Sequence, residues 1–288
     1  MKTLFVVRAT LLATSLILGV VSPALAGSTH GSKAGLDRAY DPLALHSNVA
    51  LVADADSHEV LYAKNPHAVL PIASITKLMT VMVNLEANLD LDEVIEITND
   101  DIDTYKNTHS RLKPGSEFTR RELMHMALMA SENRAASALG RSYPGGVAAC
   151  VAQMNKRAKQ LGMLSTSYEE TTGLSVNNRS SASDLARLVM AARRFELIRE
   201  FSTDPGAAVE SVQGKRLNFH NTNRLVRKGD WDIVLQKTGF INEAGRCMVM
   251  QAKVGERNLV IVLLDAIGSA GRFADAERIR KFVTTRFN

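Results

Sequence analysis

Ser74-Ile75-Thr76-Lys77-Leu78-Met79-Thr80-Val81-Met82-Val83-Asn84 reads as a helix that is apolar on nearly every side. Such a helix belongs in the middle of a domain. Lys77 is its only charge, one helical turn from Ser74, so the two side chains share a face. A serine hydroxyl needs a base to become a nucleophile. A lysine set among Ile75, Leu78, Met79 and Met82 pays a desolvation cost when charged, which lowers its pKa and frees it to accept the Ser74 proton. A second nearby cation, such as Lys237, would push it the same way. Taken alone, the motif is equally well read as an N-cap serine followed by a snorkelling lysine.

Two further motifs follow in order: Ser131-Glu132-Asn133 and Lys237-Thr238-Gly239. Each is weak singly. A Ser-x-x-Lys is expected about once by chance at this length, and Ser175-Val176-Asn177 is a second Ser-x-Asn. Ser131 and Asn133 lie where one helical pattern ends and the next begins, a junction that can aim a hydroxyl and an amide into a cleft. Ser131 could pass a proton to a leaving amine, and Asn133 could bond a substrate amide through its donor and its acceptor. Lys237-Thr238-Gly239 ends a strand pattern. A strand edge can pair with an extended peptide, Gly239 permits close backbone approach, and Lys237 and Thr238 offer a cation and a hydroxyl.

Working outward, Val49 to Asp54 and Glu59 to Lys64 read as strands around a turn at 55–58. Asp232 to Thr238, Arg246 to Val254 and Asn258 to Ala266 read as three more. Between them, 91–214 is mostly helical. Ser116 or Thr119 would cap a helix over Arg121 to Ala130. Others are predicted over Gly145 to Gly162, Ser183 to Arg194 (opened by Ser183) and Arg272 to Arg286. The polar stretch Thr166 to Ser181 is a loop long enough to carry function. Strands from both ends and helices from the middle imply an α/β (α+β) domain: one mixed sheet, flanked by helices, with a helical insertion. The expected division is a signal peptide at 1–26, a flexible segment at 27–41 and one catalytic domain at 42–288. In that domain the sheet comes from about 48–90 and 215–288.

Lys2 and Arg8, an apolar run from Ala9 to Val21, and Ala24-Leu25-Ala26 make the start a targeting segment cleaved before Gly27. The run is short for a bilayer span. Without Lys2 and Arg8 the net charge falls from +5 to +3, too modest to argue for nucleic acid. No second segment is apolar enough to cross a membrane. An exported protein follows, soluble or loosely membrane-associated. Of 2 cysteines, Cys150 sits on a helix pattern and Cys247 on a strand pattern, leaving two buried thiols or one bridge open. No metal-ligand spacing, phosphate loop or G-x-S-x-G elbow is present, so neither metal nor cofactor is expected.

The ordered set SxxK, SxN, KTG resembles the signature of penicillin-binding proteins and serine β-lactamases, with SEN where SDN is usual. The stretches Pro71-Ile72-Ala73-Ser74-Ile75-Thr76-Lys77-Leu78-Met79-Thr80, Ala130-Ser131-Glu132-Asn133-Arg134-Ala135-Ala136, Thr172-Gly173-Leu174 and Lys237-Thr238-Gly239-Phe240 with Ala244-Gly245 resemble the low-molecular-mass D-alanyl-D-alanine peptidases. Asn221-Thr222-Asn223 and the stretch 231–239 are similar to the short endopeptidases of the penicillin-binding-protein-seven type. The resemblance covers about 48–288 and implies the β-lactamase/DD-peptidase fold. It implies that Ser74 attacks a D-Ala carbonyl, that Lys77 is the base, and that Ser131 and Lys237 relay a proton. Asn133, Lys237, Thr238, Gly239 and Phe240 would hold the substrate, and the N–H groups of Ser74 and Phe240 would form the oxyanion hole. The implied setting is the periplasm. The implied partners are cross-linked peptidoglycan, β-lactams as covalent inhibitors, and other cell-wall hydrolases. Arg246 and Arg257 are candidates for a substrate carboxylate by position only.

A D-alanyl-D-alanine carboxypeptidase is the nearest alternative, since both activities break a bond after D-Ala. A class A β-lactamase needs an ExxLN base for deacylation. Glu169 and Glu170 lie in the right sort of loop, but Glu170 is followed by Thr171-Thr172-Gly173-Leu174 and the pattern fails. A penicillin-sensing or scaffolding domain is the third alternative.

Overall fold

The computed structural model describes residues 30–287; the expected signal peptide lies outside them. The described chain opens with α1 (His30–Lys33). β1 (Ser47–Asp54) and β2 (Val60–Lys64) form the first hairpin. β3 (Leu70–Pro71) and a 3-10 turn at Ala73–Ile75 lead into α2 (Thr76–Glu86). A small ladder of β4 (Val94–Glu96) and β5 (Glu117–Thr119) precedes α3 (Arg120–Met129), α4 (Asn133–Arg141) and α5 (Gly146–Gln160). After the long loop come β6 (Arg179–Ser180), α6 (Ala182–Ala192) and α7 (Glu196–Thr203). The hairpin of β7 (Gly206–Glu210) and β8 (Arg216–His220) is followed by α8 (Arg224–Lys228). The chain ends on β9 (Asp232–Ile241), β10 (Gly245–Val254), β11 (Arg257–Ala266) and α9 (Gly271–Phe287).

Five strands form one sheet in the order β2-β1-β11-β10-β9, with every pairing antiparallel. Strand side chains alternate between faces, and here both faces are covered. Val49 and Leu51 of β1, Val249 of β10 and Val260, Val262 and Leu264 of β11 pack against the helical layer. Their neighbours Ala50, Val52, Met248, Met250, Ile261 and Leu263 pack on the other side, against Phe273, Ala276, Ile279 and Val283 of α9. That double burial is why the central strands read as unbroken apolar runs. β9 is left at the edge of the sheet.

α2 lies inside the helical layer, and its residues 76–84 are all buried. Thr119 caps α3 through a reciprocal box with Glu122, as one of the two predicted caps. α6 is capped by Ser181, not Ser183: Ser181 Oγ accepts from Asp184 N at 3.2 Å, while Ser183 Oγ donates to Pro66 O. The turn before α6 supplies the free hydroxyl two residues earlier than the pattern implied. Residues 215–231 do not join the main sheet, because β8 pairs with β7 and α8 follows. Asp41 is anchored by Lys64 Nζ at 3.0 Å and by Tyr62 Oη at 2.6 Å, so the described part of 27–41 is tied to β2. Cys150 and Cys247 are free and buried, and burial pushes each thiol up to about 12.

Candidate active site

Ser74 sits on the 3-10 turn that feeds α2. Ala73 before it has φ +47, a left-handed conformation that costs an L-residue roughly 1–2 kcal/mol. Two glycines hold the turn in place. Gly173 (φ +88) lies so close that a Cβ there would stand 2.0 Å from Ala73 O and 2.8 Å from Ser74 N. Gly239 of β9 lies on another side, where a Cβ would come within 3.0 Å of both Ile72 O and Ser74 N.

Lys77 Nζ is fully buried and has three oxygens around it: Ser74 Oγ at 2.8 Å, Asn133 Oδ1 at 2.8 Å and Thr172 O at 2.6 Å. A charged ammonium donates to all three. A neutral amine has only two N–H groups. Asn133 and Thr172 can take both, which leaves the lone pair aimed at Ser74. Burial lowers the Lys77 pKa to about 8, against the opposing pull of Glu170, Glu132 and Asp103. At pH 7 about a tenth of the amine is then in the basic form.

Ser131 follows α3 in a left-handed conformation, φ +60, at the helix junction the sequence predicts. Its Oγ accepts from Lys237 Nζ at 2.8 Å. Lys237 lies opposite Val249 of β10, so its side chain points to the helical side of the sheet. Its pKa is held well below the usual lysine range, first by burial, then by repulsion from Lys77 and Arg272. The expected repulsion between the two lysines therefore expresses itself at Lys237. Asn133 is engaged within the protein: besides Lys77, its Nδ2 donates to Thr108 Oγ1 at 2.9 Å. One lone pair and one N–H remain for a ligand.

Ser74, Ser131, Asn133, Thr238, Gly239 and Phe240 line one cleft of about 410 Å³. No Asp or Glu is among its lining residues. Phe240 is half exposed, with the Arg246 guanidinium 4.5 Å from its ring centre. Arg257 is remote, paired with Asp54 at 3.2 Å and Glu59 at 3.3 Å. Two cations line the cleft: Lys106, paired with Glu243, and Arg272 of α9, whose Nη1 donates to Gly239 O at 3.0 Å and whose pKa burial lowers to about 10. Sequence reasoning missed Arg272. The available signal was an arginine opening a terminal helix whose apolar face must cover the sheet. Lys106 and Thr108, from the loop before β5, and Thr222 were also missed as lining residues. A larger groove of about 1010 Å³, lined by β1, β2 and α6, contains none of Ser74, Lys77, Ser131 or Lys237.

A serine hydroxyl held by a buried amine at the mouth of a cleft, on this sheet-and-helix frame, defines the class: a serine hydrolase. The sequence profile described as D-alanyl-D-alanine carboxypeptidase matches residues 37–268, and the chain belongs to that peptidase family, S11. It is 46% identical over 242 residues to a D-alanyl-D-alanine endopeptidase of Pseudomonas aeruginosa, covering 84% of this chain and 78% of that one. It is 43% identical over 240 residues to a D-alanyl-D-alanine endopeptidase of Escherichia coli, covering 83% and 77%. Among solved structures, a mutant of Streptomyces K15 DD-transpeptidase superposes with a TM-score of 0.77 at 25% identity, covering 84% of this chain and 98% of that one.

Proposed function

We propose that the protein is a D-alanyl-D-alanine endopeptidase that opens peptidoglycan cross-links through an acyl-enzyme on Ser74. The carrying observation is the Lys77 amine, 2.8 Å from Ser74 Oγ, with two other acceptors to occupy its N–H groups. Neutral Lys77 takes the hydroxyl proton as Ser74 Oγ attacks the D-Ala carbonyl carbon. The N–H groups of Ser74 and Phe240 receive the developing oxyanion. The Ser131–Lys237 pair carries a proton to the leaving amine as the C–N bond breaks. Water then enters and attacks the ester carbonyl, losing a proton to the same relay, while Lys77 returns its proton to Ser74 Oγ as the acyl–oxygen bond breaks and the acyl group leaves as a carboxylic acid. Arg272, together with Thr238, suits the carboxylate beside the leaving amine. A diaminopimelate residue carries such a group as well as a terminal D-Ala does. The endopeptidase names of the two relatives favour the cross-link over the free terminus.

The same reading takes 1–26 as an export leader and 42–288 as the catalytic domain, working in the periplasm with β-lactams as covalent inhibitors and other cell-wall hydrolases as neighbours. Among the described residues no helix is long and apolar enough to cross a membrane.

Digestion of purified peptidoglycan tests the substrate. Cross-linked muropeptide dimers are expected to become monomers without release of free D-Ala. Release of D-Ala from intact dimers would make the enzyme a carboxypeptidase, and a folded protein giving neither product would overturn the peptidase reading.

A further inference from the structure

The structure assigns a positioning role to Glu170: from beneath the active-site floor it holds the Thr172 carbonyl on Lys77 and the Gly173 backbone under Ser74, and it sets the charge that Lys77 meets. The inference rests on Lys77 being the base. Glu170 is buried and does not line the cleft. Its carboxylate gathers the loop around itself. Thr172 N and Thr172 Oγ1 donate to Oε2 at 2.5 and 2.6 Å, and Gly173 N donates to Oε1 at 2.6 Å. Asn178 Nδ2 donates to Oε1 at 2.9 Å and lies 3.1 Å from Thr76 Oγ1, which in turn donates to Ala73 O at 2.9 Å.

Both products of this arrangement bear on the chemistry. Thr172 O accepts from Lys77 Nζ at 2.6 Å, so the carbonyl occupies one of the two N–H groups of the neutral amine. Gly173 fits against the Ala73–Ser74 peptide, where even a methyl group has no room. A loop of glycine and small polar residues would not keep a carbonyl this close to a buried amine unaided. A carboxylate accepting from its own following residues fixes it.

The charged groups around Lys77 are Glu170 in this loop, Glu132 before α4, Asp103 before the Thr108 turn, and Lys237 on β9 with Arg272 behind it. Of the three acids, Glu170 exerts the strongest pull toward the protonated amine. Removing its charge makes Lys77 lose its proton at lower pH. Acylation requires the neutral amine, so its rate rises with pH to a plateau. The rising limb should follow the Lys77 pKa downward.

The test is the pH profile of acylation by a fluorescent penicillin for the wild type, Glu170→Gln, Glu170→Asp and Lys77→Ala. In Glu170→Gln the limb should move about one unit or more toward acid. Its plateau should fall roughly tenfold or more as the amide turns its N–H group toward either Thr172 N or Gly173 N and loses that acceptor. In Glu170→Asp, which keeps the charge on a shorter arm, the limb should stay while the plateau falls. A folded Glu170→Gln with its limb at the wild-type pH would overturn the inference and leave a loop of purely structural value. A Lys77→Ala variant that still acylates with the wild-type profile would instead overturn the assignment of the base. If Glu170→Gln does not fold, a limb in Glu170→Asp that moves to acid although the charge is kept would equally overturn the inference.

Discussion

Lys77→Met lowers the rate of acylation by roughly a thousandfold or more, yet moves the melting temperature by only a few degrees. The rate loss follows from the base: without it the Ser74 hydroxyl must lose its proton unaided, and general-base assistance contributes about 10²–10⁴. The stability result is a near-cancellation. A lysine whose pKa has fallen from 10.5 to about 8 carries a cost of about 3 kcal/mol when protonated, and methionine, of similar length, relieves it. Against that, Asn133 Oδ1 and Thr172 O lose their donor, at about 1–3 kcal/mol for each buried group left unsatisfied. Labelling by a fluorescent penicillin together with a thermal melt reads both quantities. A variant that unfolds would mean the amine serves the fold, and one that still labels at the wild-type rate would remove Lys77 from the chemistry.

Among the described glycines, Gly173→Ala is expected to be the most damaging added methyl. The residue sits at φ +88, and the added Cβ would lie 2.0 Å from Ala73 O and 2.3 Å from Ala73 C. Those are backbone atoms of the turn that presents Ser74, so no side-chain rotation relieves the clash. We expect a loss of at least about 3 kcal/mol in denaturant unfolding, with acylation reduced beyond what partial unfolding explains. Gly115→Ala is the control. Its φ is +85 but nothing lies within 4 Å of the added carbon, so it should lose only about 1–2 kcal/mol for the left-handed backbone. Equal losses at the two positions would show that conformation, not contact, governs both.

Much of this was readable from the chain because the informative residues are locally overdetermined. The apolar helix around Lys77 can only be buried, and an unpaired lysine in it already implies a perturbed amine. The β1, β10 and β11 runs, apolar at successive positions, could only be strands covered on both faces. Other features depend on neighbours distant in sequence. Arg272 opens α9 and reaches the cleft by donating to Gly239 O of β9, a partner that its position at the start of a terminal helix does not by itself reveal. Arg257 looked available and is committed to Asp54 and Glu59. The Ser-x-Asn motif implies a ligand-facing amide at Asn133, and the structure also turns that amide onto Lys77 and Thr108. The β7–β8 hairpin escaped notice because Gly206-Ala207-Ala208 is a poor strand former and gains its place by pairing with Arg216–His220. The failed ExxLN pattern proved informative in space. Glu170 is present in the loop but spent on Thr172, Gly173 and Asn178, and no carboxylate lines the cleft to activate water against an acyl-enzyme.

That last point makes a chromogenic β-lactam the most direct probe of the central claim, an acyl-enzyme on Ser74 built for peptides. Mixed with the wild-type enzyme, it should give one stoichiometric burst and then almost no further colour. Peptide mapping should find the adduct on Ser74, and Ser74→Ala should give neither burst nor adduct. Sustained turnover of the β-lactam, or an adduct that persists in Ser74→Ala, would contradict the account.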